Sequence, residues 1–233
     1  MNAVFAEIDA VCRTFAEKEN IPGVVAGVVE GGELRHVTAL GLADREASRV
    51  VTRATAFRIA SMTKSVTALA ILVLRDRARL ELDAPLAIYV PQFAAVRLPT
   101  RDSAPVTVRH LLTHTAGFVT DDPWGDRVLG MTPGELDALI AAGTLFARPP
   151  GLAFEYSNLG YALLGRVLTN VSGEPYQSFV QRTLLSPLGM TRTTFDAPAA
   201  SREDFALPYR FEDRKSTRLN SSHIPLSRMP SSA

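Results

Sequence analysis

Lysine is scarce in this chain. Its 233 residues include three, Lys18, Lys64 and Lys215, against 22 arginines. Arginine stays protonated and supplies fixed charge, whereas lysine can also serve as a base. Cysteine is scarcer still. Cys12 stands alone, which excludes an internal disulfide framework and a cysteine-built zinc site. No apolar run reaches the roughly 18–20 residues of a membrane span. Met1 to Asn20 lacks the basic start and apolar block of a signal peptide, which favours a cytoplasmic location. The net charge of +1 gives no electrostatic footprint for a nucleic-acid partner. There is no phosphate loop, no dinucleotide fingerprint and no Gly-x-Ser-x-Gly elbow, so no cofactor is implied. The 46% hydrophobic and 21% charged residues are those of a globular chain with a substantial core.

Among what is there, Phe57 to Leu74 stands out. It reads as a short extended segment followed by a helix that is apolar on nearly every side from Val66 to Leu74, and so buried. Two polar residues open that helix. Ser61 and Lys64 are three apart and share a face. Ser61 is placed as the N-cap, and Lys64 then stands where a capping box would put Glu or Gln. A cation there faces the positive end of the helix dipole. A neutral amine beside a hydroxyl can accept its proton and make the serine a nucleophile. The alternative is an ordinary capping serine followed by a lysine that snorkels to the surface.

Phe5, Ile8, Val11, Cys12 and Phe15 recur at helical spacing and predict an amphipathic helix over Asn2–Glu19. Two apolar runs, Val24–Glu30 and Glu33–Gly41, flank Gly31-Gly32 and predict a β-hairpin. Residues 43–50 read as a polar loop. The rest is mainly helical. Short helices are expected over Val106–His114, closed by Gly117, and from Pro133 to Ile140; longer ones are expected over Leu159–Val171 and Tyr176–Leu185. The loop Phe118–Leu129 carries Trp124.

Tyr156-Ser157-Asn158 precedes a helix. Asn158 could be its N-cap with Tyr156 in the core; alternatively Tyr156 shuttles protons and Asn158 hydrogen-bonds substrate. His110 and His114 have the four-residue spacing of a zinc pair. Position 111 is Leu rather than the glutamate of such motifs, and no third ligand is evident, so no metal is expected.

Residues 213–233 differ from the rest. They hold six serines, against nine in the preceding 212 residues, and they have no hydrophobic period. The run Asp213 to His223 resembles the translation of a sequencing-library adapter. This tail is expected to be non-native or disordered. Residues 1–212 then form an incomplete domain. Residues 1–60 supply a helix plus hairpin, and residues 61–212 supply a mainly helical part.

Ser61-Met62-Thr63-Lys64 and Tyr156-Ser157-Asn158, 95 residues apart, resemble the motifs of the serine β-lactamase and penicillin-binding-protein superfamily, in particular the class C β-lactamase and class VIII esterase type. Leu111 to Gly117 and Tyr161 to Gly165 are similar to segments common in that group. The resemblance implies an α/β plus α fold of the β-lactamase/transpeptidase type, present here in part. The remaining sheet strands and the C-terminal helix are expected to be missing. It further implies that Ser61 is acylated, that Lys64 activates it, that Tyr156 is a general acid/base and that Asn158 positions the substrate. A serine hydrolase of this kind acts through an acyl-enzyme on small esters, amides, β-lactams or D-amino-acid peptides. The family's third motif, Lys-Thr-Gly or His-x-Gly, has no match. Lys215-Ser216-Thr217 lacks the glycine. The chain as it stands is therefore expected to be inactive. A non-catalytic penicillin-recognising or partner-binding module is the alternative.

Overall fold

The computed structural model describes residues 2–120, 132–143, 145–195, 205–212 and 215–218. Two compact units emerge, Met1–Arg58 with Ala197–Ile224, and Ile59–Asp196 with Pro225–Ala233. Residues 205–212, grouped with the helical part by the sequence reading, thus belong with the N-terminal unit.

In that first unit, α1 (Asn2–Lys18) leads into an antiparallel hairpin of β1 (Gly23–Glu30) and β2 (Glu33–Asp44). Gly31 and Gly32 close it at φ +60° and +82°. A two-residue hairpin turn of this kind needs positive φ at both positions, which glycine adopts without steric cost. β2 runs further than expected. A short strand, β3 (Arg49–Val50), folds back on its end, pairing Val50 with Leu42 and Arg49 with Asp44. The sheet order is β1-β2-β3.

α1 turns inward on part of its expected apolar stripe, Phe5, Ile8 and Cys12, and leaves Val11 and Phe15 out. Phe5, Ile8, Asp9 and Cys12 are half-buried, while Val4, Val11 and Phe15 are exposed. Polar contacts lie on the same inward face. Asp9 accepts hydrogen bonds from His36 Nε2 at 2.8 Å and from the buried Thr38 hydroxyl on β2. Phe5 stacks on the His36 ring, 4.8 Å between centroids. Later residues strap the same unit. Ala206 N–H donates to Ala56 at 2.9 Å, Leu207 N–H to Ala43 at 2.7 Å, and Arg49 to the Phe205 carbonyl at 2.6 Å. β4 (Tyr209–Glu212) then pairs with β5 (Lys215–Arg218). Those four residues of the expected tail therefore form a strand; residues 219–233 lie outside the described set.

The second unit holds the hydrophobic core. Its elements are α2 (Thr63–Asp76), α3 (Val108–Leu112), α4 (Pro133–Ala142), α5 (Asn158–Ser172) and α6 (Tyr176–Val180), which continues into one π-helical turn, Gln181–Leu185. α5 packs against α2, α3 and α6. It contributes Leu163, Leu164, Val167 and Leu168, all fully buried. Each such leucine stabilises the fold by about 1.5–3 kcal/mol relative to exposure. α2 is buried along one stripe only, Thr67, Ala70, Ile71 and Leu74, with Leu69 at 44% exposure. The all-round burial read from its composition is replaced by the i, i+3, i+4, i+7 spacing of an amphipathic helix. α4 starts on a Thr132–Glu135 capping box with Pro133 in its first turn and ends at Gly143 in the left-handed region.

Candidate active site

Ser61 does not cap α2. It lies in a 3₁₀ turn, Ala60–Met62, and the helix starts after it with Met62 as an N-cap that supplies no side-chain bond. Ala60, just before, has φ +43°, a left-handed conformation that costs a residue with a Cβ roughly 1–2 kcal/mol. The strained turn leaves the Ser61 hydroxyl unused by the helix. Ser61 Oγ lies 2.8 Å from the Tyr156 hydroxyl and 3.2 Å from Lys64 Nζ, which donates to it. Ser61 is exposed, whereas Lys64 and Tyr156 are half-buried.

Lys64 is the second residue of α2. Its Nζ also donates to Asn158 Oδ1 at 2.6 Å. It sits 4.8 Å from the centroid of the Tyr156 ring and 5.6 Å from that of Tyr161, two π faces that attract a cation. The four residues singled out in the sequence thus meet at one point, all within the second unit.

The far side of this site is built by two stretches running beside each other. Val119 N–H donates to Leu145, Ala147 N–H to Gly117, Gly151 N–H to Thr115 and Glu155 N–H to His114, at 2.7–2.9 Å. Gly117 is therefore not a helix cap. A Cβ there would stand 2.2 Å from the Arg148 carbonyl oxygen, so only glycine permits the approach. Arg148 pairs with Glu155 at 2.9 Å, and Glu155 also accepts from Thr120. Tyr156 follows directly. The N-cap of α5 is Ser157, whose hydroxyl accepts from Gly160 N–H at 3.0 Å. Asn158 is the first helical residue, one place beyond the cap expected of it, and its side chain reaches Lys64 instead.

His110 and His114 part company. His110 closes a reciprocal cap with Thr107, its Nδ1 accepting from Thr107 N–H at 3.2 Å. Burial holds its pKa below the usual histidine value, Asp83 opposing this and Arg109 adding to it, both more weakly. His114 lies beyond the end of α3 at φ +56°, and its Nδ1 accepts from Ser157 N–H at 3.1 Å. Among the described residues no group of three or more His, Cys, Asp or Glu is placed to hold a metal ion, and no helix is long and apolar enough to cross a membrane.

Two residues beside the site escaped the sequence reading. His114 reads from the sequence as a helix or turn hydrogen-bonding residue rather than a metal ligand, and it is one, but nothing in its spacing ties it to Tyr156. Tyr161 follows Asn158 by three and so shares its helix face; that spacing was the available signal. Its hydroxyl donates to the Leu112 carbonyl at 3.1 Å, and burial, then the neighbouring Tyr156, pushes its pKa up. Of the loop Phe118–Leu129, Trp124 and the other residues from 121 on lie outside the described residues.

As chemistry, the arrangement places an exposed hydroxyl within hydrogen-bond reach of an amine and a phenol, the amine being held in turn by an amide oxygen. Covalent catalysis by a serine needs groups of these three kinds at such distances.

The sequence profile of the Beta-lactamase family matches residues 8–220. Esterase EstB of Burkholderia gladioli is 37% identical over 219 residues, covering 88% of this chain and 54% of its own length. The structure of an octameric penicillin-binding protein homologue from Pyrococcus abyssi superposes with a TM-score of 0.83 at 28% identity, covering 96% of this chain and 52% of that one. A class C β-lactamase superposes at 0.78 with 26% identity, covering 96% and 58%. The chain thus carries the β-lactamase/penicillin-binding-protein fold in part, spanning about half the length of these relatives, and it belongs to the Beta-lactamase family.

Proposed function

We propose that the site is that of a serine hydrolase working through an acyl-enzyme. The observation that carries this is the Ser61 hydroxyl, free of any capping role and within 3.2 Å of both Lys64 Nζ and the Tyr156 hydroxyl. In this reading Ser61 Oγ attacks the carbonyl carbon of the substrate. Its proton passes to the Lys64 and Tyr156 pair, which returns a proton to the leaving group as the tetrahedral intermediate collapses. The same pair then takes a proton from a water that attacks the ester carbonyl, and returns a proton to Ser61 Oγ as its bond to the acyl carbon breaks and the acid leaves. Asn158 holds Lys64 through Oδ1, and in this reading it also positions the substrate. The backbone N–H of Ser61 contributes to the oxyanion hole. Substrates are small esters, amides, β-lactams or D-amino-acid peptides. An esterase and a class C β-lactamase among the relatives support the ester and β-lactam parts of that range.

The chain as it stands is proposed to turn over slowly. No Lys-Thr-Gly or His-x-Gly occurs in its sequence, and loss of one oxyanion donor typically costs about 10²–10³ in rate. The test is to expose the 233-residue chain to a fluorophosphonate and read the mass adduct. Ser61 is expected to carry it and Ser61→Ala to abolish it, while turnover of a p-nitrophenyl ester stays slow. An adduct that persists in Ser61→Ala defeats the nucleophile assignment. Tight penicillin binding with no acylation would favour the recognition-module reading.

A further inference from the structure

Tyr156 must hold its hydroxyl near Ser61, yet it lies in a stretch with no helix or strand of its own. The contacts of one residue account for how it is held. His114 touches the chain on both sides of Tyr156. Its carbonyl accepts from Glu155 N–H at 2.7 Å, and its Nδ1 accepts from Ser157 N–H at 3.1 Å. Its ring stacks on Tyr156, 4.7 Å between centroids and 30° between planes. The same imidazole lies 5.0 Å from the Tyr161 ring and 5.5 Å from that of Phe154.

The backbone of His114 points the same way. It occupies the left-handed position that ends α3, with Thr115 N–H donating to His110 at 2.8 Å and His114 N–H to Leu111 at 3.3 Å. This is the Schellman pattern, in which glycine is the usual residue. A histidine there is sterically disfavoured, and what its side chain provides is the grip on residues 154–157.

We propose that His114 is a positioning residue, whose imidazole and carbonyl together clamp the segment Glu155–Ser157 so that the Tyr156 hydroxyl stands at Ser61. This rests on the serine-hydrolase reading of the site. It adds a chemical requirement, because Nδ1 accepts from a backbone N–H and so cannot carry a proton. The ring is then the Nε2–H tautomer. The imidazole acts through Tyr156 and does not touch the reacting atoms.

Three substitutions separate the parts of the clamp. His114→Asn tolerates the left-handed backbone and keeps an acceptor in the place of Nδ1. His114→Phe keeps a ring and loses the acceptor. His114→Gly relieves the backbone and loses both. The readouts on the 233-residue chain are the rate of fluorophosphonate addition to Ser61, its pH profile, the melting temperature, and the ¹⁵N spectrum of the His114 ring. His114→Gly is expected to slow labelling about 10–100-fold and shift the pH profile, in a chain that still melts cooperatively. His114→Asn is expected to recover most of that loss and His114→Phe little of it. Wild-type labelling rates in a folded His114→Gly overturn the proposal, as does recovery by Phe but not Asn. If the wild-type chain never labels at Ser61, the hydrolase reading fails, and the clamp is judged by the spectrum alone. An unprotonated Nδ1 together with Tyr156 ring resonances that move in His114→Gly supports it. A protonated Nδ1 overturns it.

Discussion

Lys64 shows how a side chain can stand beside the partner expected of it while the backbone around it takes another form. Its rarity marked it, since an arginine at this position could offer only charge. The cap geometry inferred for its neighbour did not form, because the chain enters α2 through a 3₁₀ turn and Ser61 keeps its hydroxyl for Tyr156 and Lys64. Lys64→Met is expected to slow Ser61 labelling by about 10²–10⁴-fold with little change in melting temperature; labelling within a few-fold of wild type would remove Lys64 from the mechanism. Ser61, Lys64, Tyr156 and Asn158 were legible because their residue types and order are distinctive. The clamp proposed for His114 was not, because it depends on a left-handed backbone and on segments of chain that meet only in three dimensions. His110 supports a separate prediction. Burial lowers its folded pKa, so between that value and the unfolded one near 6.5 the unfolded state binds more protons. Stability therefore rises with pH through this window and falls on acidification. His110→Gln keeps an acceptor for the reciprocal cap with Thr107 but cannot titrate. Urea midpoints measured from pH 5 to 8 should climb less steeply in that variant than in wild type, and parallel curves would contradict the assignment.

Helix ends and strand ends are where the sequence reading and the structure diverge. The hairpin at Gly31-Gly32 and the helix beginning at Pro133 follow from local chemistry and form where expected. The inward face of α1 follows only part of its apolar stripe: Phe5, Ile8 and Cys12 are half-buried, while the Asp9, His36 and Thr38 contacts accompany a rotation that leaves Val11 and Phe15 outside. No pattern within α1 encodes a partner 27 to 29 residues away. The end of α2 offers a test of the same logic. Ala78 has φ +53°, with its N–H donating to Arg75 at 2.8 Å and the Arg79 N–H to Leu74 at 2.9 Å. These are the two bonds of a Schellman cap, formed without glycine. Ala78→Gly removes the Cβ clash of the left-handed region against some added entropy in the unfolded chain. A net gain of about 0.5–1 kcal/mol is expected, raising the melting temperature by roughly 1–4 °C. A drop on calorimetry would show that the strain is not felt.

Across the whole molecule, the interior is unevenly shared. The contiguous cluster of buried apolar side chains runs from Ala70 to Leu185, entirely within the second unit. In the first unit only Thr38, Ala43 and Val51 fall in the buried class among the described residues. Its sheet residues Val24, Val25, Ala26 and Val28 are half-covered or more exposed, and β1 pairs on one side only among the described strands. Apolar burial is the dominant stabilising term, so local opening free energies should follow this division. Amides of the β1–β2 ladder are expected to exchange with solvent deuterium well ahead of those in the middle of α2 and α5. In low urea the ladder should lose protection before those helices do. The cap at Ser157 and the α2 turn at Ser61 are rooted in the better-packed unit, so Ser61 labelling should persist at urea concentrations that already expose the hairpin. Equal protection across both units, or loss of labelling in step with the hairpin, would mean that the second unit does not hold the site by its own core.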